Sequence, residues 1–265
     1  MRFRLAAGSA VALSLVALLC AGQARAAAEV HRLSLFLSAS PTQIVGGDIN
    51  DAIDTYNNTK LNPAGLDPLP HLQFTWAYDS ELRYFVRPNF AIAAGVSQIR
   101  ADNKKEFLPA IGQSVDIDTQ LLTVPVHVGA AYYLQPYNQG DFQARMFFGA
   151  GLMQYTYTRA MFLVNTVLAD TTASANSKTM YTQDSPGYYL EGGGHMFFAS
   201  HWSVLISVMY RSGKLRNAQL DEKVLGGQEQ SLQPGVAYTT LNSHGQPYGL
   251  DVGGVGVRFA AGYGF

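Results

Sequence analysis

Charged side chains stand at alternate positions inside segments that are otherwise apolar. Asp79, Glu81 and Arg83 are spaced by two residues, so in an extended strand all three point to the same face. Glu191 and Arg258 occupy similar positions in two later segments. Because an isolated charge is costly in an apolar interior, acids and arginines that share one interior are expected to pair. The predicted network consists of Arg32, Asp79, Glu81, Arg83, Arg145, Glu191, Arg211 and Arg258.

Two kinds of chemistry are open to this network. If the strands enclose a lumen that is only wide enough for its own side chains, the ion pairs fill it and their role is structural. The alternative is a narrow, gated polar channel lined by the same side chains. The first interpretation is preferred because every small closed barrel must satisfy its interior charges.

The histidines do not predict a metal centre. His127 and His195 both fall on the inward face by alternation, but they lie on the fourth and sixth predicted strands, which are not neighbours. A zinc site needs such ligands close together, with at least one more. We therefore expect no metal and no cofactor, and two histidines that are satisfied within the lumen.

The long polar segments carry no recognisable catalytic set. A serine hydrolase needs a serine, a histidine and an acid that can meet. His71 and His244 lie in these segments, but neither has a serine and an acid at motif spacing, although Ser243 adjoins His244. The sequence therefore does not predict an enzyme.

The first long segment predicts a short amphipathic helix. Asp48 can cap it, and Ile49, Ala52, Ile53 and Tyr56 fall on one helical face. Calcium ligation is the alternative for its polar face, but the spacing and the glycine of an EF-hand loop are absent. The candidate oxygen ligands would be Asp48, Asn50, Asp51 and Asp54.

Period-two patterning predicts the strands that position the charges. In the last segment one face is apolar and aromatic, while the other is glycine and alanine with Arg258 alone. Such a small-residue face fits a crowded lumen, so the large residues are expected to meet lipid. We predict one closed antiparallel barrel of eight strands, or of ten if residues 235–241 form a hairpin within the membrane. The predicted strands are 30–41, 71–86, 90–101, 117–134, 142–162, 186–199, 202–214 and 254–265.

The connections alternate in length, as in outer-membrane barrels, where short turns face the periplasm and long loops face outwards. The predicted long loops are 42–70, 102–116, 163–185 and 215–247. Outward aromatic residues gather beside the short turns, which is typical of the membrane interface. This predicted periplasmic belt contains Tyr84, Phe90, Tyr132, Phe142, Phe198, Trp202 and Tyr263, with Phe265 next to it.

The N-terminus predicts an export signal over residues 1–26, with the barrel domain at 27–265. Arg2 and Arg4 precede a short apolar run, and Ala24 and Ala26 give a small-x-small cleavage pattern. The alternative, an uncleaved anchor, needs a longer run. Cys20, the only cysteine, lies in this signal, so disulfide and thiol chemistry are not expected.

Composition excludes some partners. Charged residues make up 14% of the chain, against about 25% in typical soluble domains. Loss of three arginines with the signal moves the formal net charge from −1 to −4. This mildly acidic balance argues against a nucleic-acid partner.

Residues 121–134, 147–152 and 192–203 together resemble the bacterial outer-membrane protein β-barrel domain families, the small barrels of the OmpA, OmpX and OmpW type. The resemblance covers nearly all of the predicted mature chain, but its motifs specify architecture rather than function. It implies a monomer in the outer membrane of a Gram-negative bacterium, in contact with lipid and lipopolysaccharide. An alternating final strand ending in Phe265 resembles the assembly signal of such barrels, which implies the barrel-assembly machinery as a partner.

We expect a structural or surface-interaction protein whose long outer loops carry the interaction. The alternative is an OmpW-like narrow channel for small or hydrophobic solutes. A third hypothesis, an enzyme that modifies lipid A, ranks below both because the outer loops lack the catalytic set it would need.

Overall fold

The computed structural model describes most of the chain after the predicted export signal, which itself lies outside the described residues. The described ranges are 31–110, 113–139, 142–167, 173–182, 185–198, 201–216, 218–225, 228–229, 242 and 244–265.

Eight long strands form the body of the molecule, as the alternating segments predict. Inward and outward side chains alternate, so burial alternates along most of each strand. The strands are β1 (Leu33–Gln43), β2 (Phe74–Arg87), β3 (Phe90–Ala110), β4 (Gln113–Tyr133), β5 (Phe142–Val167), β6 (Ser185–Phe198), β7 (Trp202–Ser212) and β8 (Gly254–Gly264).

The sheet closes on itself. Each strand pairs antiparallel with the next along the chain, and β1 returns to pair with β8. Ser34 lies opposite Gly264, and Thr42 lies opposite Gly256. This pairing confirms the predicted closed antiparallel barrel of eight strands. Closure removes the two unpaired edges that an open sheet would present.

The predicted loop 102–116 was wrong: β3 continues to Ala110 and β4 begins at Gln113, and the two form a two-stranded extension of the barrel. Glu106 pairs with Asp116, and Phe107 pairs with Val115. Here Ala101 and Phe107 are buried on the inward face, while the outward residues Asp102 and Lys104 are charged and exposed. Polar outward residues indicate that this part of the two strands lies in water above the membrane. Because it has no apolar outward face, the lipid-facing pattern does not predict it as strand.

Further strands lengthen the outer rim without entering the ring. Ala173–Thr182 pairs with the outer part of β5 and with Gln219–Leu225. These ranges replace parts of the predicted loops 163–185 and 215–247. The hairpin proposed for residues 235–241 lies outside the described residues, and the ring closes with eight strands without it.

The first long loop contains the predicted helix, α1 (Asp48–Tyr56), which buries Ile49 and Ile53. Its N-cap is Gly47 and not Asp48, since the helix begins at Asp48; Gly47 has a positive φ of 67°, a conformation that favours glycine. Leu72, which alternation places towards lipid, is instead 3% exposed beneath this loop, since β2 begins only at Phe74.

The outer surface of the barrel is apolar. Leu37, Val128 and Phe148 are each about three-fifths exposed, and similar residues surround the ring. An apolar surface that surrounds the whole ring is far larger than the exposed apolar patches of soluble monomers. We therefore infer that it faces lipid. Among the described residues no helix has the length and apolar character needed to cross a membrane.

Candidate functional site

Five charged side chains meet in the middle of the lumen. Strand β2 supplies Asp79, Glu81 and Arg83 at alternate positions, β6 supplies Glu191, and β8 supplies Arg258. Both arginine side chains and both glutamate side chains are at most 2% exposed, and Asp79 is 10% exposed. Inward alternation from three strands therefore brings these charges to one level of the barrel.

Arg258 is the centre of this cluster. Its guanidinium contacts all three acids: Asp79 Oδ2 at 2.7 Å, Glu81 Oε2 at 3.0 Å and Glu191 Oε1 at 3.2 Å. Its Nε also donates to Ser38 Oγ at 3.1 Å. One cation on β8 thus ties together acids from β2 and β6, which lie on either side of the lumen.

Arg83 supplies the second positive charge. Its guanidinium contacts Glu81 Oε1 at 2.7 Å and Glu191 Oε2 at 3.5 Å, and it donates to the Tyr133 hydroxyl at 2.6 Å. Its guanidinium carbon also lies 5.1 Å from the Phe147 ring centroid and 5.4 Å from that of Phe36. Arg83 therefore joins the acids to the aromatic side chains below them.

Serine hydroxyl groups add hydrogen bonds to the carboxylates that the arginines contact. Ser207 donates to Glu191 Oε1 at 2.6 Å, and Ser97 donates to Asp79 Oδ1 at 2.7 Å. Serines on neighbouring strands thus provide hydrogen bonds to the buried carboxylates. We call the set the polar layer; it comprises Ser38, Asp79, Glu81, Arg83, Ser97, His127, Glu191, Ser207 and Arg258.

Three of the eight predicted network residues lie elsewhere. Arg32 is exposed just before β1 begins, so its inclusion was wrong. Arg145 is buried near the short turns, where it donates to Gln143 Oε1 at 2.8 Å and to the Pro88 carbonyl. Arg211 is buried near the outer loops and donates to the carbonyl oxygens of Val252 and Gln43. Neither of these two arginines has an ion pair with an acid among the described residues.

His127 is a member of the cluster that alternation alone could not assign. It comes from β4, its Nδ1 lies 3.7 Å from Asp79 Oδ1, and its Nε2 lies 3.4 Å from Glu81 Oε2. These three residues can place one ligand atom each within 4.8 Å of one another, as a metal site requires. The guanidinium of Arg258 already contacts both carboxylates, so the geometry fits an ion-pair cluster better than a metal centre.

His195 lies below the polar layer and does not approach His127's acids. It is fully buried, its Nδ1 lies 3.1 Å from the Tyr133 hydroxyl, and its ring lies 3.8 Å from that of Phe197. It packs against an inner apolar cluster towards the short turns, made of Phe36, Phe85, Ala91, Ala131, Tyr133, Phe147, Phe197, Leu205 and Ala260.

A second apolar cluster covers the polar layer on the side of the long loops. The first loop contributes Ile49 and Ile53, β5 contributes Met153, and β6 contributes Tyr189, all nearly inaccessible. Tyr189 contacts the His127 ring at 5.6 Å between centroids, so this outer apolar cluster begins directly above the charges. In the described part of the chain, buried apolar side chains therefore bound the polar layer at both ends.

Two buried asparagines fix the first loop over the lumen. Asn50 donates to the Leu72 carbonyl at 3.2 Å and accepts from the Leu72 amide at 2.9 Å. Asn57 forms the same reciprocal pair with Leu69, at 3.0 and 2.8 Å. Because side chains replace a backbone ladder here, the loop is held in one position over the mouth.

The aromatic residues predicted for the periplasmic belt lie on the outer surface at the short-turn end. Phe90 pairs with Tyr132 across β3 and β4. The Trp202 and Tyr263 rings are 5.0 Å apart. Phe265 is 64% exposed, and its amide donates to the Leu33 carbonyl at 2.9 Å. The other predicted members are Tyr84, Phe142 and Phe198.

Loop histidine His71 has an acidic partner, Asp54 Oδ1, at 2.7 Å on the exposed face of α1. Among the described residues no serine hydroxyl is hydrogen-bonded to this pair.

The sequence profile of one family, the outer membrane protein beta-barrel domain, matches residues 12–239. The chain belongs to this family. The protein is accordingly an integral β-barrel of the bacterial outer membrane, as the alternation of its strands predicts. No curated protein matches the sequence significantly.

Among solved structures, this family member is similar to Neisserial surface protein A, with 13% identity over 88% of this chain and 97% of that one, at a TM-score of 0.41. It is also similar to Ail, the attachment invasion locus protein of Yersinia pestis, with 14% identity over 89% of this chain and 99% of that one, at a TM-score of 0.29.

Proposed function

We propose that this barrel is a sealed membrane anchor that presents its outer loops for interaction at the cell surface. The observation that carries the proposal is the filling of the lumen: a cross-linked polar layer lies between two clusters of buried apolar side chains. A solute would have to displace Arg258 and Arg83 from their acids in order to pass. Because breaking buried ion pairs costs several kcal/mol, the resting lumen is a plug.

The described parts of the outer loops support the interaction role because they form further strands and a helix. The Lys214–Leu215, Leu250–Asp251 and Gly46–Gly47 strands form a small second sheet beside the mouth. Strands β3 and β4 rise above the apolar surface as a paired extension. A rigid scaffold that holds ordered loops is a common way to build a binding surface.

The sealed lumen predicts that the pure, folded protein does not conduct ions in planar lipid bilayers. The expected record is a flat trace at voltages where a general porin, added later to the same membrane, gives clear steps. Folding is checked first by the different gel mobility of heated and unheated samples.

Reproducible conductance steps from the wild-type protein would contradict the plug and favour the channel. A positive control is available within the chain itself: Arg83→Ala combined with Phe147→Ala removes a guanidinium and the ring beneath it. We expect steps from this variant if it folds, since the polar layer then loses one of its cations and part of its inner cover.

A further inference from the structure

A cleft of about 290 Å³ lies on the loop side of the barrel, away from the lumen charges. It is formed by one face of α1, by the outer part of β5 and by the loop that precedes β8. The lining residues are Asp48, Asp51, Ala52, Thr55, Tyr56, Thr59, Lys60, Phe162, Asn242 and Tyr248.

Two carboxylates stand on one wall of the cleft. Asp48 and Asp51 are three residues apart on α1, so they share a helical face. Asp48 is held in place, because its Oδ2 accepts from the Gly249 amide at 2.7 Å and its carboxylate lies 3.3 Å from Asn242 Nδ2. Burial, together with the charges of Asp48 and Asp51, raises the pKa of Tyr248 above its ordinary value. The field of both acids therefore reaches the floor of the cleft.

Aromatic rings supply the other walls. The Tyr56 and Phe162 rings lie 5.6 Å apart at an angle of 58°, and Tyr248 is 5% exposed at the base. The negative face of an aromatic ring attracts organic cations, and desolvation strengthens that attraction. Among the described lining residues, Lys60 is the one cation against two carboxylates, so the balance favours a positively charged ligand.

We propose that this cleft binds a small organic ammonium ion. Asp48 and Asp51 neutralise the ammonium charge, while Tyr56, Phe162 and Tyr248 contact its methyl or methylene groups. The volume is at the lower end of the range for small-molecule sites, which suits a compact ligand. The proposal goes beyond the membrane-anchor function and does not depend on it.

The test is calorimetric titration of the full-length protein, folded in detergent, with choline and with its neutral isostere 3,3-dimethylbutan-1-ol. We expect saturable binding of choline and binding of the isostere that is at least about tenfold weaker, because an ion pair adds to the ring contacts. Phosphocholine forms a second arm. Tighter binding of choline would indicate that the natural ligand is a free ammonium solute. Tighter binding of phosphocholine would indicate that it is a lipid headgroup.

The same helix offers a matched control, since Asp54 does not line the cleft. Asp51→Asn and Phe162→Ala are each expected to weaken choline binding by about tenfold, and Asp54→Asn is expected to leave it unchanged. Absence of choline binding, equal affinity for the neutral isostere, or an equal loss in Asp54→Asn would each overturn the proposal. The gel mobility of the unheated sample shows whether each variant has folded.

Discussion

Replacing Arg258 by methionine is expected to lower the free energy of unfolding by about 3–5 kcal/mol, the usual cost of removing one partner from a buried ion pair. Among the described arginines, Arg83 would still contact Glu81 and Glu191, but none would contact Asp79. Methionine fills much of the vacated space, so the loss of stability measures the removal of the charge more than the removal of side-chain volume. The measurement is equilibrium urea unfolding in lipid vesicles.

Arg100 provides the control for this substitution. Its side chain is 59% exposed, and its nearest acid, Asp102, lies 3.8 Å away. Arg100→Met should therefore change stability by no more than about 1 kcal/mol. An equal effect of the two substitutions would mean that the lumen charges do not stabilise the barrel. Adding Glu81→Gln to Arg258→Met is expected to recover part of the loss, because one unpaired carboxylate is then removed.

The second large effect is expected from two neighbouring glycines of β6. A Cβ at Gly193 would overlap the Ile206 carbonyl oxygen and lie 2.5 Å from Ser207 Cα, whereas a Cβ at Gly194 would meet nothing within 4 Å. Gly193→Ala forces β6 away from β7 where Ser207 supports Glu191. We expect a loss of about 1–3 kcal/mol, as for other overpacked positions.

Gly194→Ala is the matched control and should be neutral or slightly stabilising, because alanine restricts the unfolded chain. Both variants are compared by the urea concentration at which half of the protein is unfolded. Equal midpoints for the two variants would contradict the register of β6 and β7, and with it the position of the polar layer.

Much of the fold could be predicted from the sequence because each barrel strand has two different surroundings. Strand β8 shows why: lipid on one side selects Val257, Phe259 and Tyr263, and a crowded lumen on the other selects glycine and alanine. Where the outer face of a strand meets water instead of lipid, the alternation of apolar and small residues disappears. For this reason the pattern predicts a loop where β3 and β4 form their extension over residues 102–110 and 113–116.

The candidate site was only partly predictable for a related reason. Alternation assigns Glu81, Arg83 and Arg258 to the lumen, but it does not say which residues share a level. The height of a residue along the barrel axis depends on the stagger between strands. This stagger brings His127 of β4 to the acids of β2 and leaves Arg145 near the short turns. Alternation also predicts an inward Arg32, but Arg32 precedes Leu33, the first paired residue of β1, and is exposed.

The central claim is that the charged interior is enclosed by a barrel whose outer residues face lipid. Spin labels on single cysteines test it directly, by the collision rates of the label with oxygen and with a water-soluble nickel complex. Cysteine labels at Val126, Val128, Ile206 and Val208 should collide readily with oxygen and scarcely with nickel, while labels at Ser203 and Ser207 should collide with neither. A low collision rate with oxygen, or a high collision rate with nickel, at the four outward positions would contradict the claim.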